Sequence, residues 1–152
     1  MARPDIRAVL ARLDALRKAR GLADEAVSRL IQPGAVFCAM DDAINLPESK
    51  LAQSRSWHPE RWVVVVASAE ACADDDLATV QVVPCSGSFR LPVHAFDLLI
   101  THGGSAFTKE CVAYVTLAQP ILKSDIGAHR GTVTTEHRVA ILARIDRLRG
   151  TR

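Results

Sequence analysis

The sequence predicts a mainly β, α+β fold: a small antiparallel barrel or sandwich with helices at its two ends. Three observations lead there. The stretch 61–68 reads Arg-Trp-Val-Val-Val-Val-Ala-Ser, and four β-branched valines in a row, with no charge until Glu70, suit a strand covered on both faces. From Pro33 onward, short apolar runs alternate with turn residues at the spacing of an all-β domain. Helical periodicity is confined to the two termini.

At 152 residues the chain is about one domain long. Charged residues make up 24% and the apolar class 49%, a soluble globular composition that excludes a disordered chain. The formal charge of +2 is too small to imply a partner by itself. No apolar run reaches the roughly 20 residues of a membrane span, and the first residues lack the apolar core of a secretory signal. The expectation is a cytoplasmic protein with no membrane contact. Cys38, Cys72, Cys85 and Cys111 show no Cys-x-x-Cys spacing and read as reduced core residues, with no metal site.

Taken in order, 4–20 places Ile6, Val9, Leu10, Leu13 and Leu16 at helical spacing among charges, and Gly21 ends the run. A second short helix is expected over 24–32, stopping before Pro33-Gly34. These two helices form an amino-terminal extension, 1–32. Arg3, Arg7, Arg12, Arg17, Lys18 and Arg20 against Asp5 and Asp14 make it locally basic. It fits either packing on the barrel or a second subunit, or an arm for an anionic partner.

Strand character begins at 35–40 and is closed by Asp41-Asp42. The connection 43–60 is long for a compact domain, which is usual for functional loops. Its Lys50, Arg55 and His58 offer charge for phosphates, and Trp57 offers a ring for base stacking. After the Arg61 strand come an acidic loop at 70–77, a strand at 78–85 ending in Ser86-Gly87-Ser88, a strand from Leu91 to Ile100, a turn at 102–105, and a strand at 111–117. A terminal helix starts at Thr134 or Thr135 as N-cap and stops at Gly150, with Arg144, Arg147 and Arg149 as a solvated, dipole-favoured end.

Several of these segments, in this order, resemble the MazF/PemK family of toxin endoribonucleases. Gly34-Ala35-Val36-Phe37 is similar to the family's opening Gly-Asp-Ile/Val strand, and 61–68 to its Arg-Pro-Val-Val-Val-Ile-Ser segment. Val82-Val83-Pro84-Cys85-Ser86 is similar to the strand ending in Pro-x-Thr, and Leu91-Pro92-Val93-His94 to the Leu-Pro-x-His that follows. Gln119 falls where the family has a strand-closing Gln. The sequence departs from the pattern at Ala35, Trp62 and Ser86, where the family has Asp, Pro and Thr. The loop before Arg61 is long where the family's is short and Gly-rich.

The resemblance implies an SH3-like antiparallel β-barrel of the MazF/PemK/CcdB type over 33–152, with its terminal helix. It also implies a homodimer, a cognate antitoxin partner, and cleavage of single-stranded RNA without metal or other cofactor to 2′,3′-cyclic phosphate and 5′-OH ends. The family's catalytic Arg and Thr map to Arg61 and Ser86. Lys50, Arg55, His58, His94 and Gln119 become the expected substrate-binding residues, with His58 or His94 as possible proton carriers. Read by itself, Arg61 is more simply a charge that ends a strand at the water boundary. A second function therefore stands beside the first: a non-catalytic barrel of the same fold that acts by binding protein. The CcdB-type gyrase poisons carry a Trp near the end of the terminal helix, whereas both tryptophans here, Trp57 and Trp62, lie far from it.

Overall fold

The computed structural model describes residues 7, 8, 10–12, 15, 30–47, 50, 60–101 and 106–150. Within them, seven strands and two helices follow the order β1 Ala35–Met40, β2 Glu60–Val65, α1 Ala69–Ala73, β3 Thr79–Ser86, β4 Leu98–Ile100, β5 Cys111–Ala113, β6 Gln119–Leu122, β7 Ile126–Thr132 and α2 Thr135–Arg149. Residues 7, 8, 10–12 and 15 are helical, and Leu10 on that segment is 55% exposed. Most of the predicted 1–32 extension and the stretch 51–59 lie outside the described residues. Among the described residues no helix is long and apolar enough to cross a membrane.

All strands pair antiparallel in one sheet, ordered β4-β5-β3-β2-β1-β7, with β6 joined to the other part of β3. β2 is central, as its valines predict. Strand alternation sends Val63 and Val65 to one face and Val64 to the other, and all three are at most 1% exposed. On the inner face they meet Phe37, Ala39, Val82, Val112, Tyr114, Ile121 and Ile126. A single core that draws on β7 at one end of the sheet and on β5 and β6 beyond β3 requires the sheet to curl around it. On the outer face Val36, Val64, Val83, Ile100 and Ala113 pack with Ile141 and Ile145 of α2. Burying a Val side chain fully contributes about 1.5–2 kcal/mol, so the valine run both sets the strand and joins two cores. The described strands do not close the curl into a hydrogen-bonded ring; β7, β4 and β6 each pair on one side only.

Several boundaries differ from the sequence expectation. The acidic segment after β2 contains the short helix α1, capped by Ser68, whose hydroxyl accepts from the Ala71 N–H at 3.1 Å. The strand expected from Leu91 to Ile100 is real only over the last three residues. Before it the chain turns, with the Asp97 N–H donating to the His94 carbonyl at 2.9 Å. The run expected at 111–117 is a three-residue strand followed by a 3₁₀ turn at Val115–Leu117. β6 and β7 were hidden because Pro120 interrupts one, and the other is exposed at most positions and carries Gly127 and Gly131. The terminal helix agrees closely. Thr134 caps it by accepting from the His137 N–H at 3.1 Å, and Gly150 closes it at φ 73°, a conformation glycine adopts at little cost.

Candidate functional site

Arg61 is the second residue of β2, opposite Ala39 of β1, and Ser86 is the last residue of β3. Alternation places Arg61 on the face of Val63 and Val65, and Ser86 on the face opposite Cys85. The two side chains therefore meet at the end of the inner core. The Arg61 Nη1 donates to Ser86 Oγ at 3.1 Å, and its Nε donates to Asp41 Oδ1 at 2.8 Å. This differs from a guanidinium reaching into water, because Arg61 is only 3% exposed. A buried guanidinium is tolerable only when its charge is paired and its N–H groups are bonded. Asp41, just past the end of β1 and 17% exposed, supplies the counter-charge.

One part of the fork remains. Nη2 is buried and finds no hydrogen-bond partner among the described residues. A buried donor of this kind costs stability unless a ligand meets it. Ser86, by contrast, is saturated. Its Oγ donates to the Ser88 carbonyl at 2.9 Å and accepts from the Ser88 N–H and from Arg61, both at 3.1 Å. The hydroxyl holds the guanidinium in place and ties it to the turn after β3.

Tyr114 follows β5 on the inner face and was read in the sequence only as strand interior. Its hydroxyl donates to the Lys50 carbonyl at 2.9 Å, pinning the middle of the connection between β1 and β2. Burial pushes its phenol up to about 12, with the Asp97 carboxylate adding to the shift and the positive Arg61 opposing it. The phenol thus stays protonated and neutral across the physiological range. Asp97 is itself buried and accepts at Oδ1 from the Thr116 N–H at 3.0 Å and hydroxyl at 2.9 Å.

The expected binding residues divide. Lys50 and His94 line one cavity of about 300 Å³, together with Arg90, Asp97 and Tyr114. Gln119 lies elsewhere with its amide fully engaged. Its Oε1 accepts from the Asn45 N–H at 2.8 Å, and its Nε2 donates to the carbonyls of Asn45 and Leu117 at 3.1 and 3.0 Å. That side chain clamps the start of the long connection onto β6. Arg55 and His58, like Trp57, lie outside the described residues. Asp41 and Tyr114 make side-chain contacts here that residue-type reasoning missed. The one available signal for Asp41 was a carboxylate at the end of the strand that pairs with the Arg61 strand.

A second cavity, of about 380 Å³, opens on the other side of the same strand ends. It is walled by Trp62, Phe107, Cys85 and Cys111, with Arg61 and Ser86 also at its lining. Trp62 and Phe107 meet there at 5.4 Å between ring centroids. All four cysteines are buried free thiols, as their apolar surroundings predict. A hydrogen bond with Cys111, reinforced by burial, pushes the Cys85 thiol well above its ordinary range, so it is a poor nucleophile at neutral pH.

No family model matches the sequence, and no curated protein matches it. Solved structures do. MazF from Deinococcus radiodurans superposes with a TM-score of 0.59 at 10% identity, over 80% of this chain and 98% of that one. The chain has the MazF fold. An endoribonuclease from a mycobacterial species, solved in complex with its cognate antitoxin, gives 0.57 at 12% identity over 81% of this chain and 96% of the other. The Mycobacterium tuberculosis toxin MazF-mt6 gives 0.52 at 17% identity over 68% and 96%. At these identities the likeness establishes the fold, an SH3-like sheet with a carboxy-terminal helix, covering nearly the whole of each toxin chain.

Proposed function

We propose that this protein is the toxin of a toxin–antitoxin pair and cleaves single-stranded RNA by a metal-independent route. The observation that carries the reading is the buried guanidinium of Arg61, fixed on two sides by Asp41 and Ser86, with an Nη2 that has no partner among the described residues, on a MazF fold. A strand-end charge with no further task would be expected to point into water. This one is oriented by neighbours that use two of its three nitrogens, which is how a preorganised donor is held.

RNA supplies its own nucleophile, so the protein's task is orientation and charge stabilisation. In the proposed reaction the 2′-oxygen forms a bond to the adjacent phosphorus as the bond to the 5′-oxygen breaks. One proton leaves the 2′-OH and one is delivered to the 5′-oxygen. The products are a 2′,3′-cyclic phosphate and a 5′-OH. Arg61 Nη2 donates to the phosphoryl oxygens as their charge grows, a role suited to a planar, permanently charged fork. Ser86 acts as a positioning residue for Arg61. His58 is the imidazole proposed for the proton transfers, since His94 lines the separate cavity of Lys50 and Arg90. The Phe96 N–H donates to His94 Nδ1 at 3.1 Å.

Several structures that this fold resembles are complexes of MazF with MazE or of an endoribonuclease with its cognate antitoxin, and an antitoxin partner is proposed here too, with a homodimer as the working form. The test is incubation of purified protein with mixed-sequence single-stranded RNA in excess EDTA, followed by mapping of fragment ends. Recurrent cleavage at a short sequence, strongly slowed in Arg61→Lys, supports the proposal. Intact RNA from a folded sample would favour the non-catalytic, protein-binding alternative.

A further inference from the structure

We propose that a single-stranded RNA chain continues from the Arg61 site across the cavity of Lys50, Arg90 and His94 to a stacking platform formed by His94, Phe96 and Arg147, so that the terminal helix takes part in binding substrate. This rests on the reading above and extends it to residues at the far side of the domain.

The connection is built through the sheet. Ser86 is paired with Val112 across β3 and β5. Val112 and Tyr114 project to the inner face and line the cavity that holds Lys50, Arg90 and His94. Beyond it the rings of His94 and Phe96 lie nearly parallel, 19° apart with centroids 5.8 Å from each other. The Arg147 guanidinium, from the last turn of α2, sits 5.3 Å from the centre of the Phe96 ring. His94 and Arg147 are exposed and Phe96 is half-buried. A row of flat groups ending in cations is therefore presented at the surface, continuous with a cavity whose rim is basic.

Each part suits an unpaired polynucleotide. Bases stack on aromatic and guanidinium planes without regard to sequence, while lysine and arginine follow the phosphates. Among the described residues lining the cavity the one carboxylate is Asp97, whose Oδ1 accepts from Thr116, against the cations Lys50 and Arg90. Lys50 is held in place through its carbonyl by Tyr114, so its ammonium projects from a fixed backbone. A duplex would bury its base faces against one another and gain nothing from the platform. The geometry therefore selects a single strand.

The test is binding of a fluorescently labelled single-stranded RNA made uncleavable by 2′-O-methyl groups, followed by anisotropy across a salt series, to wild type, Phe96→Leu and Arg147→Gln. Roughly tenfold weaker binding is expected for Phe96→Leu, the value of one stacked base. Arg147→Gln should weaken binding and reduce the slope of log affinity against log salt by about 0.7, the share of one phosphate contact on a single strand. Arg147 is exposed, so its variant keeps the fold even if Phe96→Leu does not. An acidic peptide, polyglutamate, is run as a second ligand. Wild-type RNA affinity and slope in Arg147→Gln would overturn the inference, as would a loss confined to polyglutamate, which would reassign the surface to a protein partner. Because the probe cannot be cleaved, weakened binding in a protein that proves unable to cut RNA would keep the track and remove the ribonuclease. Unaltered binding in an active ribonuclease would do the reverse.

Discussion

Replacing Asp41 by Ala should show how strongly Arg61 depends on its partner. The pair spans 2.8 Å, with Arg61 3% and Asp41 17% exposed. Removing one member of a fully buried ion pair costs about 3–5 kcal/mol, and losing a hydrogen bond to a charged group about 1.5–3 kcal/mol. Because Asp41 keeps some contact with water, the expected loss is about 2–3 kcal/mol. For a chain of this size each kcal/mol lowers the melting temperature by roughly 2–4 °C, so the midpoint should fall by roughly 5–10 °C. Asp41→Asn, which keeps an acceptor but not the charge, should lose about half as much. Thermal and urea unfolding of wild type, Asp41→Ala, Arg61→Ala and the double variant form a cycle in which the coupling should reach about 2 kcal/mol. A shift below about 1 °C in Asp41→Ala would refute the reasoning, since Arg61 could not then be a buried charge that relies on this carboxylate. The result also bears on interpretation: because Arg61 is buried, loss of activity in Arg61→Ala is informative only beside a measurement of how much of the sample is folded.

Ser86→Ala should leave Nη1 without its acceptor, destabilise the protein by about 1–3 kcal/mol and lower RNA cleavage by roughly tenfold through a misplaced guanidinium. Ser86→Thr, with the hydroxyl restored, should retain most of the activity, and equal activity in all three proteins would remove Ser86 from the site. Tyr114 is the sole tyrosine, so phenolate absorbance should titrate near pH 12 in the folded protein. Its pKa is raised above the unfolded value of about 10, so the associated stability is full below about pH 10 and is lost as pH rises to about 12. A folded-state transition at about 10 would contradict the burial. The four thiols should react slowly with a disulfide reagent in the native state and promptly in denaturant; rapid native labelling would show that the core around Cys85 and Cys111 is open.

Much of this architecture was legible in the sequence because the decisive signals were local. The valine run carries its strand identity in its own side chains, and Thr134 and Gly150 mark a helix by their backbone preferences. β7 was not legible, since a strand with glycines and exposed side chains gains its order from pairing with β1 rather than from its own pattern. The same division holds in the site. Arg61 and Ser86 stood out by their place in an ordered set of segments, and the structure joins them at 3.1 Å. Asp41 and Tyr114 could not be found that way, because each acts through a contact between residues 20 and 64 positions apart in the chain, respectively. Gln119 carries a contact that its sequence position did not reveal: its amide donates to the backbone carbonyls of Asn45 and Leu117. Burial was the other unreadable quantity, for a strand-end arginine looks the same in sequence whether it enters the core or leaves it.

The central claim, that Arg61 stabilises a phosphate attacked by the substrate's own 2′-OH, is tested most directly on one cleavage sequence made in two forms, all-ribose and with a single 2′-deoxy sugar at the scissile nucleotide. In excess EDTA, the all-ribose strand should yield one fragment ending in a 2′,3′-cyclic phosphate and one beginning with a 5′-OH. The deoxy strand should stay intact, and Arg61→Lys should cut the ribose strand roughly 10²–10³-fold more slowly. Cleavage of the deoxy strand, or fragments bearing 5′-phosphates, would contradict the account, because the nucleophile would then have come from outside the RNA.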